Sequence, residues 1–181
     1  MMFHFILRPS EAIHAIRGSL VLPSDNCSAT SIAYLTIPIA KSRWRGPRTQ
    51  HASTRNSDFI LLLERRYSTL KSSARLYPGS ATSYRKTWDS LIKAFGIPPH
   101  MFTPASLRGG GCCHAFQSDP SVENLMWRMR VTSIVTLKHY LQEVVSISTL
   151  SSLSTDSRAH IQAAVKAYKF MTFDLQARAS H

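Results

Sequence analysis

Apolar and polar positions along the chain alternate in short runs that predict a series of small elements. Ala12, Ile13, Ala15 and Ile16 follow Arg8-Pro9-Ser10-Glu11. This predicts a helix with Pro9 early, where a missing N–H costs little, and Glu11 where the helix dipole favours a carboxylate. Gly18 is placed to end it. Leu20, Val21 and Leu22, before Pro23, predict a short strand. The stretch 32–39 is β-branched and aromatic, the strongest strand pattern in the chain, with Pro38 at an edge or strand end. A return strand is expected near 49–53. Ser57 or Asp58 can cap a helix running to Tyr67. Ser80 or Thr82 can cap another, with Tyr84, Trp88, Leu91, Ile92 and Phe95 on its core face and Gly96 at its end.

The next helix is expected to open with Thr103 as cap and Pro104 at its first position. Gly109, Gly110 and Gly111 follow, each weakening a helix by about 1 kcal/mol relative to alanine. A fold tolerates that where a second backbone comes close, either a packed segment or DNA. No Gly-Lys-Ser/Thr follows, so this is not a P-loop. Asp119-Pro120-Ser121 punctuates, and Val122, Leu125, Met126 and Met129 predict a short helix with Arg128 and Arg130 flanking Met129. Residues 133–145 read as an amphipathic helix with Ile134, Leu137, Leu141 and Val144 on one stripe. Tyr140 lies at the margin of that stripe, where it can pack in the core or face a cleft. Residues 146–155 read as a Ser/Thr-rich linker. Residues 156–181 read as a last helix and tail, placed to fold back or to dock on a neighbouring copy. The pattern as a whole is α+β and mainly α.

Composition sharpens this picture. The chain has 181 residues, enough for one domain with a hydrophobic core. Lys and Arg number 22 against 10 acidic residues, giving +12 at neutral pH and a pI near 10.2. That excess points to a polyanion, with nucleic acid the leading partner class and a basic protein without a specific anion partner the alternative. Cys27, Cys112 and Cys113 cannot build a disulfide framework, which predicts a reducing compartment. Vicinal side chains on a helix diverge by about 100°, so Cys112-Cys113-His114 is not expected to hold a metal. Met1 to Leu7 is too short for a signal sequence, and no apolar run spans a membrane. The chain starts almost on top of a structural element, which predicts a missing upstream portion.

Four features then line up in order. They are Arg8 with Glu11, Lys41 at a strand end within the basic turn 41–48, Ser106-Leu107-Arg108 near a helix start, and Tyr140. The stretches Ser106-Leu107-Arg108-Gly109-Gly110-Gly111, Trp127-Arg128-Met129-Arg130-Val131 and Thr136-Leu137-Lys138-His139-Tyr140 sit among them. Over residues 1 to about 145 the chain resembles the catalytic domain of tyrosine recombinases, the phage-integrase-like family, and is most similar to eukaryotic mobile-element members. The resemblance implies a helical bundle with a small antiparallel sheet.

It also implies roles. Tyr140 would attack the scissile phosphate and hold the 3′ side as a phosphotyrosine. Arg8 and Arg108 would hold the non-bridging oxygens, and Lys41 would protonate the departing 5′ oxygen. Glu11 would buttress the arginine helix, with His139 supporting. The arginines would neutralise the phosphate, so no metal or other cofactor is implied. Arg43, Arg45, Arg48, Arg128 and Arg130 are candidate contacts to double-stranded DNA; for the turn 41–48 the alternative is a solvated surface. The implied setting is the nucleus of a eukaryote or the cytoplasm of a prokaryote, with a homo-oligomer assembling on DNA.

Two positions depart from the family pattern. Its His-x-x-Arg histidine is Ala105 here, and its His or Trp nine residues before the tyrosine is Val131. Neither can exchange a proton or donate a hydrogen bond. Such assistance contributes roughly 10² to 10⁴ in rate, which implies impaired chemistry. The resemblance further implies an N-terminal core-binding domain that completes the family's DNA clamp, and such a domain is expected to be missing here. A non-catalytic DNA-binding remnant and a chain that never folds stably are the competing expectations.

Overall fold

The computed structural model describes residues 1–26, 31–38, 49–141 and 151–179. Among them the order is α1 (Pro9–His14), β1 (Leu20–Val21), β2 (Ala33–Ile37), β3 (Gln50–Thr54), α2 (Ser57–Tyr67), α3 (Ala81–Ala94), α4 (Ser106–Ser118), α5 (Val122–Met129), α6 (Ile134–Lys138) and α7 (Thr155–Ala179). The protein is α+β and mainly helical, with one small antiparallel sheet in the order β1-β2-β3. The hairpin register pairs Ala33 with Thr54 and Ile37 with Gln50. Ala33, Leu35 and Ile37 therefore share the buried face, with Ala52 and Thr54 beside them. β2 ends at Ile37, so Pro38, which has no N–H to donate, falls just past the central strand.

The main core joins this sheet face to Phe5, Leu7, Leu20, Leu22, Phe59, Ile60 and Leu63. A second cluster gathers Ile6, Cys112, Ala115, Leu125, Met129 and Leu137. Met2, Phe5, Ile6 and Leu7 are all buried, because the first residues turn helically and run beneath α4. Gly111 makes this possible. A Cβ there would lie 2.2 Å from the Phe3 carbonyl oxygen and one at Gly110 would touch the Phe3 ring, whereas one at Gly109 would meet nothing. The backbone that the glycines admit is, at Gly111, the chain's own first turn.

Several local expectations are corrected. α1 stops at His14 rather than at Gly18, because Ala15 and Ile16 are extended and the Ala15 carbonyl and the Arg17 and Gly18 N–H groups bond to the 72–76 segment. Asn56, not Ser57 or Asp58, caps α2, its Oδ1 accepting the Phe59 N–H at 2.8 Å. Ser80 does cap α3, but Leu91 faces solvent. α4 begins at Ser106, with Thr103 to Ala105 forming tighter turns before it, and Ser106 Oγ accepts the Thr103 N–H. α6 spans only Ile134–Lys138, and Ile134 and Val135 are exposed. Thr132, Ile134, Val135 and Thr136 are β-branched and poor helix formers.

The tail helix α7 packs along α2. Leu153, expected in a linker, is instead buried against Ile92 and Ile97, and Ser154 Oγ accepts the Ser157 N–H. Phe170 and Phe173 on α7 are exposed.

Candidate functional site

Arg8 with Glu11, Arg108 and Tyr140 come from three separate parts of the chain, and packing brings them together. Arg8 caps α1. Its backbone N–H donates to Glu11 Oε2 at 2.8 Å and its guanidinium to Glu11 Oε1 at 2.6 Å. Arg108, in the first turn of α4, is only 2% exposed. Its guanidinium donates to the Ile6 carbonyl and, at 2.5 Å, to the Met129 carbonyl at the end of α5. The guanidinium carbon lies 5.6 Å from the centre of the Tyr140 ring, cation–π contact range. Tyr140 sits in the turn after α6, half-buried, its ring packed on the Ile6, Cys112 and Leu137 cluster. Cys113 donates its S–H to the Tyr140 carbonyl at 3.1 Å, which ties that turn to α4. The vicinal cysteines serve packing here; burial pushes the Cys112 thiol up to about 12.

Arg130 completes the cluster. It donates to Glu11 Oε2 at 2.7 Å, to the Ile6 carbonyl at 3.3 Å and to the Arg128 carbonyl at 3.0 Å, with a side chain only 5% exposed. Arg8 and Arg130 thus share one carboxylate, and Arg108 and Arg130 share one carbonyl. Burial lowers the affinity of Arg130 for its proton to about 10, the neighbouring Arg108 and Arg8 add to that, and Glu11 opposes it. Arg108 is lowered in the same direction, by burial first and then by Arg8. Burial alone would raise the Glu11 carboxyl, but Arg130 and Arg8 outweigh it and hold it below the usual carboxylate value. Three guanidinium charges therefore face one carboxylate. Nε of Arg108 and Nε of Arg130 are both buried without an acceptor.

Two backbone outliers shape the cluster. Ile6 has φ 51° and Arg130 φ 56°, both in the left-handed region. That region is costly for a β-branched residue, on the order of 1–3 kcal/mol. At Ile6 it accompanies a carbonyl that receives both guanidiniums. At Arg130 it forms the α5 C-terminus, where glycine is the usual occupant. The next N–H, of Val131, returns to the Met126 carbonyl at 3.1 Å, and both side chains pack on the second core cluster. Val131 is thus the apolar residue of a Schellman-type helix end.

Other expected site residues fall as follows. Ala105 is exposed at the head of α4, and His139 is exposed beside Tyr140. Arg128 is half-buried; burial lowers it, with Asp119 opposing and Arg55 reinforcing. Arg55, at the β3–α2 junction, is a basic neighbour that the sequence pattern did not single out. Lys41, Arg43, Arg45, Arg48 and Cys27 lie outside the described residues, as do residues 142–150 of the expected helix and linker, Val144 among them. Arg130 was expected as a DNA contact rather than as part of the arginine cluster. The available signal was a long cation where a helix end favours glycine. Among the described residues, no group of His, Cys, Asp and Glu is placed to hold a metal ion, and no helix is long and apolar enough to cross a membrane. The chain matches no protein-family model and no curated protein in sequence.

Proposed function

We propose that this chain is a DNA-binding domain of tyrosine recombinase type that holds a backbone phosphate at Arg8 and Arg108 in front of Tyr140. The observation that carries the reading is the contact between Arg108 and the Tyr140 ring, with Arg8 in the same charge cluster. A cation clamp beside a phenol is the arrangement that phosphodiester cleavage by tyrosine requires. In that reaction the Tyr140 oxygen bonds to phosphorus as the bond to the 5′ oxygen breaks, and Lys41 gives the leaving oxygen its proton. The phosphotyrosine is later attacked by a 5′ hydroxyl, which rejoins the strand. The partner is double-stranded DNA, the protein acts as an oligomer on it, and the setting is the nucleus if the host is eukaryotic.

The chemistry is slow. Ala105 offers no base for the phenol proton, and Val131 has no donor. A second reading, a remnant that binds DNA without cutting it, is favoured by the apolar packing of Val131 at the end of α5. A nicked suicide duplex separates the two. A covalent protein–DNA adduct that disappears in Tyr140→Phe is expected for the enzyme. DNA binding with no adduct at high protein concentration identifies the remnant. No DNA binding at all contradicts both.

A further inference from the structure

We infer that Arg130 is a third phosphate-binding group of this site, supplying from the end of α5 a donor that its neighbour Val131 lacks. The inference rests on the phosphate-holding role proposed for Arg8 and Arg108. Three observations carry it.

First, the cluster is short of negative charge: among the described residues Glu11 is the one carboxylate bonded to Arg8 and Arg130, and the partners of Arg108 are the Ile6 and Met129 carbonyls and the Tyr140 side chain, none of them a carboxylate. Like charges at contact distance oppose folding unless a counter-charge is present. A tetrahedral oxyanion would provide it. Second, the Nε–H groups of Arg108 and Arg130 are buried with no acceptor, a state that buried donors rarely keep. Phosphate oxygens are acceptors of the right charge, and guanidinium is the side chain best matched to them. Third, Arg130 occupies a left-handed helix-end position that glycine would fill with less strain. A side chain kept at such a position does something that the backbone alone does not require. Its bonds to Glu11 and to the Ile6 and Arg128 carbonyls fix where the guanidinium stands, so an arriving phosphate meets a preorganised donor.

The contrast with Arg17 shows that this arrangement is not the rule for buried arginines here. All three Arg17 nitrogens donate, to the Tyr67 and Leu20 carbonyls and to Asp25.

The test is read first on the intact wild-type protein, and variants enter only where a cooperative melt shows that they fold. The arginine Nε–H resonances are followed by ¹H–¹⁵N NMR during titration with inorganic phosphate, against chloride at equal ionic strength. Arg→Lys variants provide the assignments. The expected result is a saturable shift at Arg108 and Arg130 with none at Arg17, and at least a tenfold weaker phosphate affinity in Arg130→Gln. An unmoved Arg130 resonance, or shifts that chloride reproduces, overturns the inference. A parallel assay with the nicked duplex keeps the two ideas apart. Phosphate-dependent shifts without DNA binding would leave Arg130 as an oxyanion ligand and remove the recombinase reading. Adduct formation with Arg130 unmoved would do the reverse.

Discussion

Arg17 and Arg108 are both buried, yet their surroundings differ in kind. Arg17 closes a structural knot. Its three nitrogens reach the end of α2, the start of β1 and Asp25, whose carboxylate also accepts the Leu22 N–H at 2.8 Å. One cation meets one anion. Arg108 stands with Arg8 and Arg130 around one carboxylate, and two of the three keep a buried N–H unsatisfied. The first site is complete as built, while the second becomes complete only when an anion arrives. A buried arginine therefore marks a binding site here only where the count of charges and acceptors fails to close.

The largest effect expected from breaking this comparison is at the closed knot. Arg17→Met leaves Asp25 and two buried carbonyls without their partner and should destabilise the fold by about 3 kcal/mol, the lower end of the range for such losses, since Asp25 is partly exposed. Urea denaturation measures it, and added phosphate should not alter the difference. Arg130→Met should lower stability less, by under about 2 kcal/mol, because removing one of three like charges offsets part of the lost pairing. If the two substitutions are equally damaging and equally indifferent to phosphate, the distinction between the sites collapses.

Gly111→Ala comes next. A Cβ driven into the Phe3 carbonyl must displace the first turn, and with it the Ile6 carbonyl that Arg108 and Arg130 share. Overpacking of this kind costs about 1–3 kcal/mol. Thermal melts should show that loss together with a weaker response to phosphate, since site and segment move together.

Acid should separate stability from anion binding. Glu11 has a folded pKa held below its ordinary value of 4.5, so its contribution to stability is complete above about pH 4.5 and is lost as pH falls through the folded value. Asp25, lowered chiefly by its hydrogen bond to Arg17, works in the same direction. Once Glu11 is protonated, however, three guanidiniums share no carboxylate. The melting temperature should therefore fall below pH 4.5 while the protection given by sulfate grows. Glu11→Gln should show the enhanced sulfate protection already at pH 7. The smallest effect is at Gly109, where a Cβ meets nothing. Gly109→Ala should stabilise α4 by about 1 kcal/mol. Weaker DNA binding in the same variant, read by fluorescence anisotropy, would mean that DNA rather than protein approaches there.

The sheet and most of the helices were legible in the sequence, because the β-branched and aromatic run at 32–39 and the Ser80 cap of α3 are local signals. The ends of α1 and α6 were not, since what stops α1 is pairing with the 72–76 segment, a contact between distant parts of the chain. Arg8, Glu11, Arg108 and Tyr140 could be named from motif order alone. The place of Arg130 could not, because it depends on a left-handed turn and on the Ile6 carbonyl, neither of which leaves a mark in the hydrophobic pattern. Gly111 was read as a close-approach position, but its partner, the chain's own first turn, became visible only in three dimensions.

If the arginine cluster is an oxyanion site facing Tyr140, an anion should be seen there. A crystal grown with tungstate, located by its anomalous signal, tests it most directly. The expected result is a tetrahedral anion within hydrogen-bond distance of Arg8, Arg108 and Arg130, beside the Tyr140 phenol. Tungstate bound only at other basic surfaces, with the cluster unchanged, would contradict it.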